Sequence, residues 1–449
     1  MTTSVKFIGA VLPNDEVTDV VVTGGRISAM GPGLSHIEGE VVDVTGLRLL
    51  PGLVDLHTHL REPGFESSET VLTGTQAAAV GGFTTVFAMA NTLPVADTTS
   101  VVELVWRRGI EAGYATVRPV GAVTVGLEGQ ALADLASMAS SRANVRVFSD
   151  DGKCVFDPLL MRRALEYVKA FDGVIAQHAQ EPRLTLGSQM NEGLVSARLG
   201  LAGWPRVAEE IIIARDILLA EETGSRLHVC HLSTAGSVEI VRSAKARGVR
   251  VTAEVTPHHL LLTEESALDY DARFKVNPPL RTDEDVHAVR AGLADGTVDI
   301  VATDHAPHPI ENKDCEWSDA AFGMVGLESA LSIVNMTMVQ SGLMSWNDVA
   351  RVMSTAPAHI GGVANTAGTL EVGRPADLVF VDERVLRSFG VEDLAGLSKN
   401  SPFLGLELPG KVVHTMRHGY FTVRDGSLVD QRVIATFARE DTIGFDERG

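Results

Sequence analysis

Two histidines, His57 and His59, stand where the apolar run Leu49-Leu50-Pro51-Gly52-Leu53-Val54 leads into Asp55-Leu56-His57-Thr58-His59-Leu60-Arg61. Alternate residues of an extended segment share a face, so both imidazoles can reach one metal ion. Two ligands do not complete a site, and in isolation the pair reads more readily as hydrogen-bonded structural histidines. Further candidates follow at the ends of other short apolar runs: Asp150-Asp151, His178, His231 and Asp304. Imidazoles and carboxylates are ligands that suit zinc, and a metal ion among them favours hydrolysis by lowering the pKa of water and polarising a carbonyl.

Each candidate has a plainer reading. His178 alone would be a structural histidine, but several ionisable groups converging on one place need a common partner. Along Leu227 to His231, alternation puts Leu227, Val229 and His231 on one face. His228 and Cys230 then read as packing against outer helices. One of Asp150 and Asp151 reads as a turn former before Gly152, and spacing does not say which. Asp304 could cap a helix, although Pro307 interrupts any helix starting there. Arg61 could hold a carboxylate through its planar fork. For Asn91 and Asn277, turn chemistry and ligand binding weigh equally. His36, His258, His259, His287, His359, His414 and His418 read as structural or surface residues.

What brings such residues together is the alternation of residues 51–365. Runs rich in Val, Ile and Thr alternate with longer helical stretches, the pattern of repeated βα units around a parallel sheet. Eight candidate strands are visible: one ending at 57–59, then 84–89, 115–120, 145–148, 173–178, 226–231, 250–255 and 299–304. Eight units predict an α/β fold of the (β/α)8 TIM-barrel type, in which the C-terminal strand ends form the active-site mouth. An open doubly wound sheet is disfavoured because no Gly-rich phosphate loop follows the first strand. Residues 1–50 and 366–449 are strand-rich and predict one small β-sandwich domain assembled from both termini.

The composition fits this plan. Of 449 residues, 45% are hydrophobic and 21% charged, enough for a large core. The net charge of −20 argues against nucleic acid or an anionic membrane as partner. The 3 cysteines are too few for a disulfide framework, and neither a signal peptide nor a membrane-spanning run is apparent, so a cytoplasmic location is expected.

Several segments together resemble the type I dihydroorotases of the amidohydrolase superfamily. They are DLHTHLREPG (55–64), GGFTTVFAMANT (81–92), FSDDG (148–152), VTPHHLLLT (255–263), KVNPPLR (275–281), ATDHAPH (302–308), FGMVGLE (322–328) and KNSPFLG (399–405). The tail at 368–382 is similar to the superfamily's β domain. The resemblance implies one or two zinc ions, two being expected, held by His57, His59 and Asp304 on one side and His178 and His231 on the other, with Asp151 bridging. It also implies substrate contacts from Arg61, Asn91, Asn277 and His308, a pocket lined by Phe322 and Gly323, and a mobile loop at 309–321.

The implied activity is reversible hydrolysis of dihydroorotate to N-carbamoyl-aspartate, with Asp304 moving the proton. A homodimer, or a complex with aspartate transcarbamoylase, is the implied assembly. Two departures from the family pattern stand out. Ala90 occupies a position where many relatives have proline, and some relatives bridge the metals with a carboxylated lysine, for which Lys153 is the only nearby candidate. The alternatives are another cyclic amidohydrolase, such as a hydantoinase or allantoinase, and a non-catalytic subunit that scaffolds aspartate transcarbamoylase.

Overall fold

The computed structural model describes residues 4–436. Residues 1–3 and 437–449, the outermost parts of the segments assigned above to the β-sandwich, lie outside the described residues. Near the N-terminus, β-branched runs separated by turns form β1 (Val5–Val11), β2 (Val17–Thr23), β3 (Arg26–Gly31), β4 (Glu40–Asp43) and β5 (Arg48–Pro51). The β2–β3 turn holds Gly24 and Gly25 at φ 59° and 77°, a backbone that glycine adopts without steric cost.

All eight predicted barrel strands are present: β6 (Leu53–Thr58), β7 (Phe83–Ala88), β8 (Thr116–Pro119), β9 (Val147–Phe148) and β10 (Val174–Gln177) come first. After a small pair, β11 (Met190–Asn191) and β12 (Gly203–Trp204), follow β13 (Arg226–Val229), β14 (Val251–Val255) and β15 (Ile300–Val301). The strands β6, β7 and β8 pair in parallel, as do β9, β10, β13, β14 and β15. Parallel bridges Gly121 to Phe148 and Thr58 to His305 join the two sets at both seams and close the barrel.

Val54, Leu56, Val174, Ala176, Cys230, Ile300 and Ala302 fill the interior, with Ala358 and Ile360 packed beneath them. Leu227 and Val229 pack outward with Ile213 and Ile217 of the helix Val207–Thr223. Each such fully buried side chain stabilises the fold by about 1.5–3 kcal/mol. This corrects the facing expected for β13: His228 and Cys230 point into the barrel, and Leu227 and Val229 meet the helices. Cys230 has the small apolar body such an interior accepts, and His228 is accommodated there by hydrogen bonds to Glu254 and Thr252.

The tail returns as β16 (Leu378–Ser388), β17 (Glu407–Arg417), β18 (Tyr420–Arg424) and β19 (Ser427–Leu428). Strand β16 runs antiparallel to β5, pairing Leu378 with Pro51 and Val381 with Arg48, so both ends of the chain join one nine-stranded sheet. Its core stacks Phe7 on Phe380, ring centroids 4.5 Å apart. The buried Arg48 ties the two ends further, reaching Asp15 at 2.7 Å and Glu383 at 2.8 Å. Among the described residues no helix is long and apolar enough to cross a membrane.

Candidate metal centre

The barrel mouth collects its polar residues just where the strands stop being regular. His231 lies two residues beyond the end of β13 at φ 30°, Asp304 three beyond β15 at φ 47°, and Arg61 three beyond β6 at φ 61°. Left-handed backbone at non-glycine residues is uncommon and must be held by its surroundings. It also explains how His231 turns into the mouth although Val229 faces the helices: the alternation of a strand ends with the strand. Asp55 fixes the neighbouring seam, its carboxylate accepting the Thr303 N–H at 2.8 Å and the Thr58 and Thr303 hydroxyls at 2.5 Å each.

The candidate ligand atoms converge. One atom each from His57, His59 and Asp151 lie within 4.8 Å of one another, and so do those of Asp151, His178 and His231. Asp304 Oδ1 is 3.1 Å from His59 Nε2 and 3.5 Å from His57 Nε2. Asp151 belongs to both groups, with Oδ1 3.3 Å from His57, His178 and His231 alike. Asp150 turns away, accepting the Val123 and Thr124 N–H groups at 2.8 and 3.0 Å and the Thr124 hydroxyl. The turn former is also Asp150, whose backbone carbonyl accepts the Lys153 N–H at 2.9 Å. Lys153 is exposed and stands outside both ligand groups.

The donor set fits a cation. His57 Nε2 is buried without a hydrogen-bond partner, although its Nδ1 is 2.6 Å from Glu254 Oε1. The His59 Nδ1–H donates to Asn91 Oδ1 at 2.9 Å and the His178 Nε2–H to Gln180 Oε1 at 2.8 Å, leaving the other nitrogen of each ring facing the cluster. Ligating histidines commonly donate their second N–H in this way. Burial opposes charge throughout, yet the histidines hold the Asp151 carboxyl well below the usual range and bring Asp304 down to about 2. Burial likewise opposes a charge on His57, but the carboxylates of Asp151, Glu254 and Asp304 raise its pKa well above the usual value. A third group, His57, Cys230 and Glu254, adjoins the first two, with the His57 and Glu254 atoms already hydrogen-bonded to each other.

Around this centre lie the other candidates. Arg61 donates through Nε to Pro307 O at 3.2 Å, and burial lowers its guanidinium to about 10, leaving it charged near neutral pH. Asn277 Nδ2 donates to Gln180 Oε1 at 3.1 Å, and its Oδ1 is buried without a partner. The His308 Nε2–H donates to Phe322 O at 2.8 Å, and burial beside Arg61 lowers its pKa to about 3, so it is a neutral donor or acceptor. Gly323 has φ 131°, and a Cβ there would sit 2.8 Å from Ala306 Cβ and 2.9 Å from His308 Nε2. In the 309–321 segment, the buried Lys313 amine donates to the carbonyls of Ala321 and Gly323 at 2.8 Å each and of Lys275 at 3.2 Å.

Sequence reasoning passes over Glu254, Gln180 and Asn400. Asn400 accepts the His308 N–H at 3.2 Å and donates to Ala306 O at 3.1 Å. For Glu254 a signal exists: a carboxylate inside the strand Val251-Thr252-Ala253-Glu254-Val255 needs a buried partner.

Residues 46–237 match the family described as Dihydro-orotase-like. A dihydroorotase of Leifsonia xyli subsp. xyli is 67% identical over 422 residues, 94% of this chain and 96% of the relative. A dihydroorotase of Streptomyces coelicolor is 63% identical over 420 residues, 94% of this chain and 98% of the relative. Among solved structures, an L-hydantoinase (dihydropyrimidinase) from Arthrobacter aurescens superimposes with a TM-score of 0.86 at 25% identity, over 96% of this chain and 98% of that one.

Proposed function

The chain belongs to the dihydroorotases of the amidohydrolase superfamily, and from that premise we propose a specific division of labour among its barrel-mouth residues. It is a metal-dependent cyclic amidohydrolase of pyrimidine biosynthesis. In our reading, His57, His59 and Asp304 on one side and His178 and His231 on the other would hold two zinc ions, with Asp151 available to both. The observation that carries this is the buried, unpartnered His57 Nε2 beside Asp151 and Asp304, in a cluster where His59 and His178 have their second nitrogens engaged. When bound, the metal supplies Lewis-acid polarisation of the ring carbonyl and hydroxide near neutral pH.

The protein's own groups do the rest. The substrate is dihydroorotate, whose carboxylate must be held against a net charge of −20. The Arg61 guanidinium provides local positive charge and the N–H donors of its two terminal nitrogens, and fixes the ring's orientation with Asn91, Asn277 and His308. Phe322 and Gly323 line the pocket, where the absence of a side chain at Gly323 keeps Ala306 and His308 in place. Asp304 takes the proton from the attacking water as the C–N bond opens and delivers it to the departing ring nitrogen. The product is N-carbamoyl-aspartate, and the reverse sequence closes the ring.

The chain works in the cytoplasm on this reading, as a homodimer or in complex with aspartate transcarbamoylase; sedimentation with and without that partner tests the assembly. The decisive experiment measures dihydroorotate hydrolysis and zinc content on one sample, with hydantoin and allantoin as competing substrates. Zinc-dependent turnover of dihydroorotate alone is expected. Full zinc loading without it would overturn the assignment.

A further inference from the structure

We propose that Glu254 is a positioning residue that presents ligands of both halves of the metal centre through a single carboxylate. The inference rests on the metal-centre reading above. Glu254 sits on β14, 1% exposed. Its Oε1 accepts the His57 Nδ1–H at 2.6 Å and the backbone N–H of His231 at 3.1 Å. Its Oε2 accepts the His228 Nε2–H at 2.9 Å, and the Thr252 hydroxyl lies 2.8 Å from His228 Nδ1.

Two consequences follow from this wiring. With Nδ1–H committed to Glu254, Nε2, the atom that faces Asp151 and Asp304, is the nitrogen left to give its lone pair to a metal that displaces its proton. The same oxygen fixes His231 at the point where its backbone adopts φ 30° and turns the ring out of the strand's alternation. His57 comes from β6 and His231 from the end of β13, so one carboxylate sets the separation of two ligands from different strands. His228 holds the far oxygen, which keeps the carboxylate plane aimed at both. The inward-facing His228 thus acts on the centre through Glu254 without being a ligand itself.

The experiment compares full-length wild type, Glu254→Gln and His228→Leu. Zinc affinity is read by competition with a chromogenic chelator, and ligand geometry by the visible spectrum of the cobalt-substituted proteins. Thermal unfolding of the metal-free proteins serves as the structural control. Glu254→Gln keeps the shape but removes the charge that orients and strengthens His57, so a loss of about 10- to 100-fold in zinc affinity is expected. A shifted cobalt spectrum and near-unchanged metal-free unfolding should accompany it. His228→Leu should move affinity in the same direction by a smaller factor.

Equal zinc affinity in wild type and Glu254→Gln would overturn the proposal. So would a third zinc equivalent present in wild type and absent from Glu254→Gln, because Glu254 would then be a ligand. If Glu254→Gln does not fold, His228→Leu decides: unchanged affinity overturns the proposal. A wild-type protein that binds no zinc would defeat the metal-centre reading itself, a failure distinct from either of these.

Discussion

The Nδ1 atom of His178 lies 2.9 Å from the Nε2 atom of His231, while the other ring nitrogen of His178 is occupied by Gln180. Two imidazole nitrogens this close, both 3.3 Å from Asp151 Oδ1, mark a place where a bound cation would replace the hydrogen bond the rings make with each other. Metal removal should therefore affect stability as well as activity. Dialysis against a chelator is expected to abolish turnover and lower the unfolding temperature. Zinc at about 100 times its Kd should restore about 2.7 kcal/mol per site, read by calorimetry. If the centre holds two zinc ions as proposed, His178→Asn should reduce bound zinc from two equivalents to one, measured by elemental analysis.

Asp150 and Asp151 are adjacent but should fail differently. Asp150 is satisfied by the Val123 and Thr124 backbone, so Asp150→Ala leaves two buried N–H groups unpaired and should cost about 2–4 kcal/mol of stability while the purified protein still binds zinc. Asp151→Ala removes the carboxylate common to both ligand groups. It should lose zinc and turnover, with metal-free unfolding close to that of wild-type protein stripped of metal. Chemical denaturation and metal counting on both variants separate the two roles. The reverse pattern would interchange them.

How far the sequence reveals such differences depends on whether the deciding contact is local. The barrel is legible because each βα unit carries its own periodicity, and the barrel mouth then brings His57, His178, His231 and Asp304 together whatever their separation along the chain. Asp150 and Asp151 cannot be told apart by spacing because Val123 and Thr124, which settle the matter, lie almost thirty residues earlier. The facing of His228 and Cys230 comes out reversed when alternation is extended through His231, where the backbone has already left the strand. Lys313 gives no signal since its partners are backbone carbonyls, which any sequence supplies.

Arg61 provides a test of substrate charge. Its guanidinium is half-buried beside the centre, and one nitrogen is held by Pro307 O, which orients the remaining fork. Replacing it with lysine keeps the charge but loses the paired donors and their fixed plane. Arg61→Lys should lower kcat/KM for dihydroorotate by roughly 10- to 100-fold, the equivalent of one hydrogen bond to a charged group. Most of the loss should appear in KM. Arg61→Met should lose more, and an analogue lacking the carboxylate should react equally with wild type and variant. A kcat-only effect in Arg61→Lys would place the residue in the chemical step instead.

Away from the centre, Asp216 makes stability depend on pH. It is buried on the helix Val207–Thr223, its Oδ2 accepting from Gln177 Nε2 at 2.8 Å and its Oδ1 from Arg215 Nε at 2.8 Å. Burial raises its pKa to about 6 despite the Arg215 charge. In the unfolded chain the group titrates near 3.8, so between these values the folded protein binds more protons than the unfolded one. Stability from this group is fully present below about pH 3.8 and declines as pH rises through 6, the opposite of a carboxylate whose pKa is lowered on folding. A shift from 3.8 to about 6 corresponds to about 3 kcal/mol, an upper bound on the change. Asp216→Asn removes the titration while keeping the acceptor for Gln177. Urea unfolding of metal-free wild type and Asp216→Asn at intervals from pH 4 to 7 isolates the effect: relative to the variant, wild type should weaken steadily up to pH 6 and then run parallel. Parallel curves throughout would mean that Asp216 stays ionised across the whole range.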